Sequence, residues 1–147
     1  MKKILSILFI FILCFSGCGN ASFTKSCTYN VETGDIVKVS LDATGGYDID
    51  STLPFSISKD EEVITQGTFV TSEAYDLYLE AIQSDEKALL IESIDEDGYN
   101  YLFWEYNDTE WNYLIMLGGF DTGVLLSNTV SMESARECFD RLEFTLE

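Results

Sequence analysis

From residue 35 the chain alternates: Val37, Val39 and Leu41 fall on one side of an extended segment and Lys38, Ser40 and Asp42 on the other. This predicts a half-buried strand, ended by Gly45-Gly46. Phe55 and Ile57 predict a short second strand starting at Pro54, the only proline, and residues 63–70 a third. The period then becomes helical. Ser72 is placed to cap a helix that carries Glu73 in its first turn and Ala74, Leu77, Tyr78, Ala81 and Ile82 at helical spacing, ending near Gln83.

The middle of the chain reads as a meander of three strands, residues 88–96, 99–106 and 111–117. Asp97-Gly98 is a strong type I′ hairpin signal, and residues 107–110 are a weaker turn. A two-residue first turn pairs Glu96 with Tyr99 and sets Ile91 opposite Trp104. Counting through the next turn sets Trp104 opposite Tyr113, Tyr106 opposite Trp111 and Leu102 opposite Ile115. One face then collects Leu89, Ile91, Leu102, Trp104, Tyr106, Trp111, Tyr113 and Ile115, a core face. The other is mixed, with Leu90, Ile94, Tyr101, Phe103, Leu114 and Met116 beside Glu92, Glu105 and Asn112. A sheet apolar on both faces is usually covered on both. Either a second helix covers this mixed face, or part of it is an exposed aromatic surface with acidic edges.

Residues 124–127 make a further strand, and Ser131 caps a helix with Met132, Ala135, Cys138, Phe139 and Leu142 along a narrow apolar stripe. Phe144 and Leu146 close the chain as an edge strand. The fold class expected is α+β: a single domain over 34–147, an antiparallel β-sheet with a central three-strand meander and two packed helices. This element order, with the Ser-x-Glu-x-Ala helix from Ser131 running into a short strand over 141–146, resembles the Mog1/PsbP-like α/β sandwich of small exported proteins. The resemblance implies an adaptor or assembly domain rather than an enzyme, and carries over no functional residues.

Charge narrows the function. The 147 residues hold 26 acidic and 8 basic side chains and no histidine, for a net charge of −18. So acidic a chain lacks the clustered Lys and Arg that neutralise phosphates, and no nucleic-acid partner is expected. Without histidine there is no Ser-His-Asp or Cys-His machinery and no imidazole-ligated zinc.

The N-terminus is the sharpest signal. Met1-Lys2-Lys3 is followed by an apolar run, residues 4–15, broken only by Ser6. As a helix this run is roughly 18 Å long, well short of the roughly 30 Å core of a bilayer, and it reads as an export signal. Phe15-Ser16-Gly17-Cys18 resembles the lipobox of bacterial lipoproteins, with Ser16 and Gly17 as the small residues before the cysteine and Phe15 where leucine is usual. The resemblance implies a signal peptide over 1–17, removed on export, and a diacylglycerol on Cys18. Two acyl chains anchor stably where one is marginal. Residues 18–33 are then a lipidated N-terminus and polar tether, and loss of Lys2 and Lys3 leaves six basic against 26 acidic residues, a net charge of −20. The expected location is the extracytoplasmic face of a cell membrane.

Four groups are candidates for chemistry. Cys27 in the tether and Cys138 on the last helix form a disulfide, which outside the cytoplasm would be stable, or remain a free thiol and a small core residue. Asp48-Ile49-Asp50-Ser51 and Asp95-Glu96-Asp97-Gly98 place oxygens at alternate positions, but neither matches an EF-hand loop, and neither a metal nor a cofactor is expected. Glu92 and Glu105 share the mixed face as diagonal neighbours beside Tyr101 and Phe103, an arrangement open to a glycosidase. Tyr99 and Tyr101, near the turn on that face, are candidate contact residues, so Glu92, Tyr99, Tyr101 and Glu105 form the candidate binding face.

The function expected is a membrane-anchored, extracytoplasmic lipoprotein whose domain acts as a non-catalytic binding or envelope-assembly module, with the membrane as one partner and a basic protein as another. Two alternatives stay open. One is an acidic inhibitor or immunity lipoprotein that neutralises a cationic hydrolase or toxin; the other is a carboxylate-pair glycoside hydrolase.

Overall fold

The structure is a computed structural model that describes residues 23–96, 99–119 and 121–147, with the Tyr99 side chain left out. The expected signal peptide over 1–17 and the candidate lipid acceptor Cys18 therefore lie outside the described residues. Strands β1 (Thr24–Asn30) and β2 (Ile36–Asp42) form a hairpin. A single 3-10 turn at Thr44–Gly46 leads into β3 (Tyr47–Asp50), β4 (Phe55–Lys59) and β5 (Glu62–Thr71). Helix α1 (Ser72–Ser84) precedes the meander β6 (Ala88–Glu96), β7 (Tyr99–Tyr106) and β8 (Glu110–Leu117); then come β9 (Thr122–Asn128), α2 (Met132–Asp140) and β10 (Leu142–Leu146).

Seven strands make one antiparallel sheet in the order β3-β4-β5-β9-β8-β7-β6, and β1-β2-β10 make a second. The small sheet and α2 cover one face of the large sheet. Val37, Val39 and Leu41 meet Phe55, Ile57, Tyr101, Phe103, Tyr113 and Ile115 there, with Ala135 and Cys138 of α2. Helix α1 covers the opposite face, where Ile82 packs with Leu102, Trp104 and Leu114. The result is a single α+β domain, as the element order predicts.

Five details differ from the sequence reading, each for a physical reason. First, residues 24–30 are a strand and not a tether. Only Cys27 and Tyr29 supply an apolar signal, and the pairing partner lies across a turn; Cys27 faces Val39 and the Ser26 and Ser40 hydroxyls bond at 2.9 Å. Second, the polar segment at 47–50 is also a strand, its Tyr47 buried in the core while Asp48 pairs with Lys25 of β1 at 2.6 Å.

Third, the meander keeps the predicted Glu96–Tyr99 pair but slips by one residue at each of two later points. A bulge between Leu90 and Glu92 places Leu90, not Ile91, opposite Trp104. The turn after β7 uses three residues rather than four, with Asn107 and Asp108 at φ 54° and 56°, so Trp104 faces Asn112 and Phe103 faces Tyr113. A one-residue slip exchanges the faces of a strand. The mixed face is thus closed by a helix, the first of the two alternatives, and Tyr101 with Phe103 is interior.

Fourth, α1 is capped by Thr71 without a side-chain bond, and the Ser72 hydroxyl reaches Asp121 at 3.4 Å instead. Its buried stripe is Tyr75, Tyr78, Leu79 and Ile82, while Leu77 is 65% exposed. Fifth, Leu142 belongs to β10 rather than to α2.

The start of α2 is fixed as expected. The Ser131 hydroxyl accepts from the Ser134 N–H at 3.0 Å. Asn128, buried at the end of β9, accepts from the Val130 and Ser131 N–H groups and donates to Thr65 and Ser134, which aims the helix across the sheet.

Candidate binding surface

The bulge in β6 turns Glu92 toward α2. Its carboxylate accepts from the Tyr101 hydroxyl and from Arg136 Nη1 at 3.0 Å. The Arg136 guanidinium lies 4.7 Å over the Phe103 ring. Phe103 stacks on Tyr113 at 4.1 Å, and Tyr113 stacks on Phe139 of α2 at 4.2 Å. These residues clasp α2 to the sheet. The Tyr101 hydroxyl, and after it Arg136, holds the Glu92 carboxyl below the ordinary glutamate value of 4.5.

Of the expected binding face, Glu92 and Tyr101 come together, but Tyr101 is only 8% exposed and is a core ring rather than a surface contact. The Tyr99 side chain lies outside the described residues. Glu105 is on the same face of β7 but belongs to another network: it accepts from the Trp111 indole N–H at 3.3 Å, and its hydrogen bond with Asp108 in the adjacent turn raises its pKa. Among the described residues no hydrogen bond joins the two carboxylates.

The position of Glu92 gives a pH dependence with a defined sign. Because the folded state binds its proton less tightly than the unfolded chain does, the ion pair stabilises above the ordinary glutamate pKa. That contribution is lost as pH falls through the lowered folded value. Glu92→Gln is expected to be less stable than the parent near neutrality, with the difference shrinking on acidification below pH 4.5. Urea midpoints measured at a series of acidic pH values check this; a difference that stays constant with pH would count against the pairing.

The candidate disulfide is replaced by two free thiols. Cys138 is 1% exposed, and burial pushes its thiol up to about 11 even though Thr65 hydrogen-bonds to it. Cys27 sits half-buried on β1 of the small sheet. Brief iodoacetamide treatment of the native protein followed by peptide mapping is expected to modify Cys27 and to spare Cys138 until the chain is unfolded. Equal modification of both would contradict this burial.

The acidic stretches are occupied by local contacts. Asp48 binds Lys25 and its own neighbour's N–H, and Asp50 accepts from the Thr52 N–H at 2.8 Å. The stretch 95–98 lies partly outside the described residues. One polar cluster carries no sequence signal at all: fully buried Thr122 donates to Asp35 at 2.6 Å, and the Thr33 hydroxyl joins them, which pins the β1–β2 turn to β9. Thr122 is nearly ninety residues from Thr33 and Asp35, and none of the three stands in a motif.

An opening lined largely by apolar residues lies elsewhere. A groove of about 430 Å³ runs between β10 and the end of β8, with Ile115, Leu117 and Phe139 on its floor and Leu142, Phe144 and Leu146 along its wall. Four of the six basic residues after position 18 are in ion pairs: Lys25 with Asp48, Lys59 with Glu137, Arg136 with Glu92, and Arg141 with Asp42 and Glu137. The charge offered to a partner is therefore overwhelmingly acidic.

Comparison with protein-family models, with curated proteins and with solved structures found no match. Among the described residues no helix is long and apolar enough to cross a membrane.

Proposed function

We propose that this chain is an extracytoplasmic lipoprotein, held on a cell membrane through Cys18, whose α+β domain is a non-catalytic binding module for a basic protein partner. The observation that carries the binding reading is the apolar groove at the β10 edge of a domain whose basic side chains are mostly paired. Glu92 supports it from another direction, because its carboxylate is engaged with Tyr101 and Arg136 as part of the α2 clasp. The lipobox-like Phe15-Ser16-Gly17-Cys18 supports the anchor. Strand β1 starts at Thr24, so the spacer after Cys18 reaches at most roughly 20 Å, and the domain works close to the membrane surface.

Metabolic labelling with an alkyne palmitate tests the anchor. The full chain is expected to take the label and to fractionate with membranes, and Cys18→Ser to do neither. A Cys18→Ser chain that kept its label would overturn the assignment. A second reading, an inhibitor of a cationic hydrolase or toxin, is favoured by the grouping of Glu105, Asp108 and Glu110 at one tight turn, with Glu105 raised by its acidic neighbour. It would place the contact at that turn rather than at β10.

A further inference from the structure

We infer that the outer edge of β10 is a strand-addition site for an extended segment of a partner protein in which apolar and basic residues alternate. The inference rests on the binding-module reading and names the kind of partner.

Ladder parity fixes which groups are free. The Arg141 C=O accepts from the Asp42 N–H at 2.9 Å, and the Glu147 N–H donates to the Ile36 C=O at 2.9 Å. In an antiparallel pair the bonding residues alternate, so 141, 143, 145 and 147 turn toward β2. The N–H and C=O groups of Leu142, Phe144 and Leu146 turn outward, and no described residue pairs with them. The same three residues, half-buried where Glu143 and Thr145 are exposed, line the groove together with the rest of β10. A strand laid along this edge would gain main-chain bonds from them and drop alternate side chains over Ile115, Leu117 and Phe139.

The other strand edges lack this combination. Strand β3 is four residues long and carries Asp48 and Asp50, β6 has a bulge and ends in Asp95 and Glu96, and β1 exposes Thr24, Ser26, Thr28 and Asn30. Short length, bulges and charge are the ordinary protections of a sheet edge. On β10 the outward side chains are Glu143 and Thr145, and Glu147 follows. A basic residue facing Glu143 across the new pair would be stabilised there. A second copy of this chain would set one chain of net charge −20 against another, which disfavours it as the occupant.

The probe is a capped heptapeptide alternating lysine with leucine, added to the full chain labelled with nitrogen-15 and held in detergent micelles. Amide exchange at Leu142, Phe144 and Leu146 is expected to slow about tenfold when the peptide is at about ten times its Kd. Two further peptides are expected to give no protection: one with glutamate in place of lysine, and one N-methylated on the edge that would face β10. Binding that leaves those three amides unprotected, protection shared equally with β1 or β6, or no binding at all would overturn the inference. So would protection that grows with protein concentration alone, which would assign the edge to a second copy. None of these outcomes bears on the palmitate label, so the anchored binding protein and its strand-addition site fail separately.

Discussion

Gly67→Ala is expected to cost about 3 kcal/mol or more, the upper end of what overpacking a closed core does. A Cβ on Gly67 would stand 2.1 Å from Phe55 Cζ and 2.3 Å from its Cε2, well inside contact distance. The two residues are directly opposite in the β4–β5 pair, on the face toward the small sheet, so the ring lies flat over the glycine. Phe55 cannot swing away, because it is fully buried and packed at 5.8 Å from Tyr29 and 5.9 Å from Phe69. With total stabilities of about 5–15 kcal/mol for ordinary domains, such a loss leaves a marginal protein. Urea unfolding of the single variant measures it, and a Phe55→Leu, Gly67→Ala double variant should be less damaged than the two single effects added together. A cost below about 1 kcal/mol for Gly67→Ala would show that the ring has somewhere to go.

Tyr113→Ala is expected to cost about 3–5 kcal/mol, as for other large rings removed from a core. Its ring is sandwiched between Phe103 and Phe139 and also meets Tyr101 at 5.7 Å, so its loss opens a void between the large sheet and α2. The damage should therefore be uneven. Amides of α2 are expected to exchange faster relative to those under α1, where Tyr78 and Trp104 form a separate contact at 5.8 Å. Tyr113→Phe keeps the stack and should lose far less. If α1 and α2 loosened equally in Tyr113→Ala, the two cores would have to be energetically one.

How far the chain could be read in advance depended on whether a signal was local. The Asp97-Gly98 signal in the sequence predicts the Glu96–Tyr99 pair that is found, and Ser131 caps α2 through a bond to the backbone three residues on. Where a count had to pass through the turn at 107–109, the reading failed. Asn107 and Asp108 both tolerate left-handed backbone, so the sequence suits loops of more than one length, and each length gives opposite faces to β8. The slip brought Tyr113 and Ile115 of β8 onto the face of Tyr101 and Phe103, which α2 and the small sheet cover, so the candidate face is largely core. Glu92 and Tyr101 did come together, but the partner that explains them, Arg136, is on α2, and nothing near Glu92 in sequence points to it. The groove is similarly out of reach of pattern reading. It exists only because the last strand lands beside the end of β8.

The small sheet is made from both ends of the described chain: β1 and β2 come first, and β10 is the last element. Leu142 pairs with Leu41, about a hundred residues upstream, so closing this sheet needs a long loop to be closed first. Until the C-terminal residues are present, the apolar side of the hairpin at Val37, Val39 and Leu41 lacks Leu142, Phe144 and Leu146 as neighbours. A chain threaded through a membrane from its N-terminus would thus cross with its first hairpin still incomplete. Such a chain would complete this sheet only once its last strand had emerged.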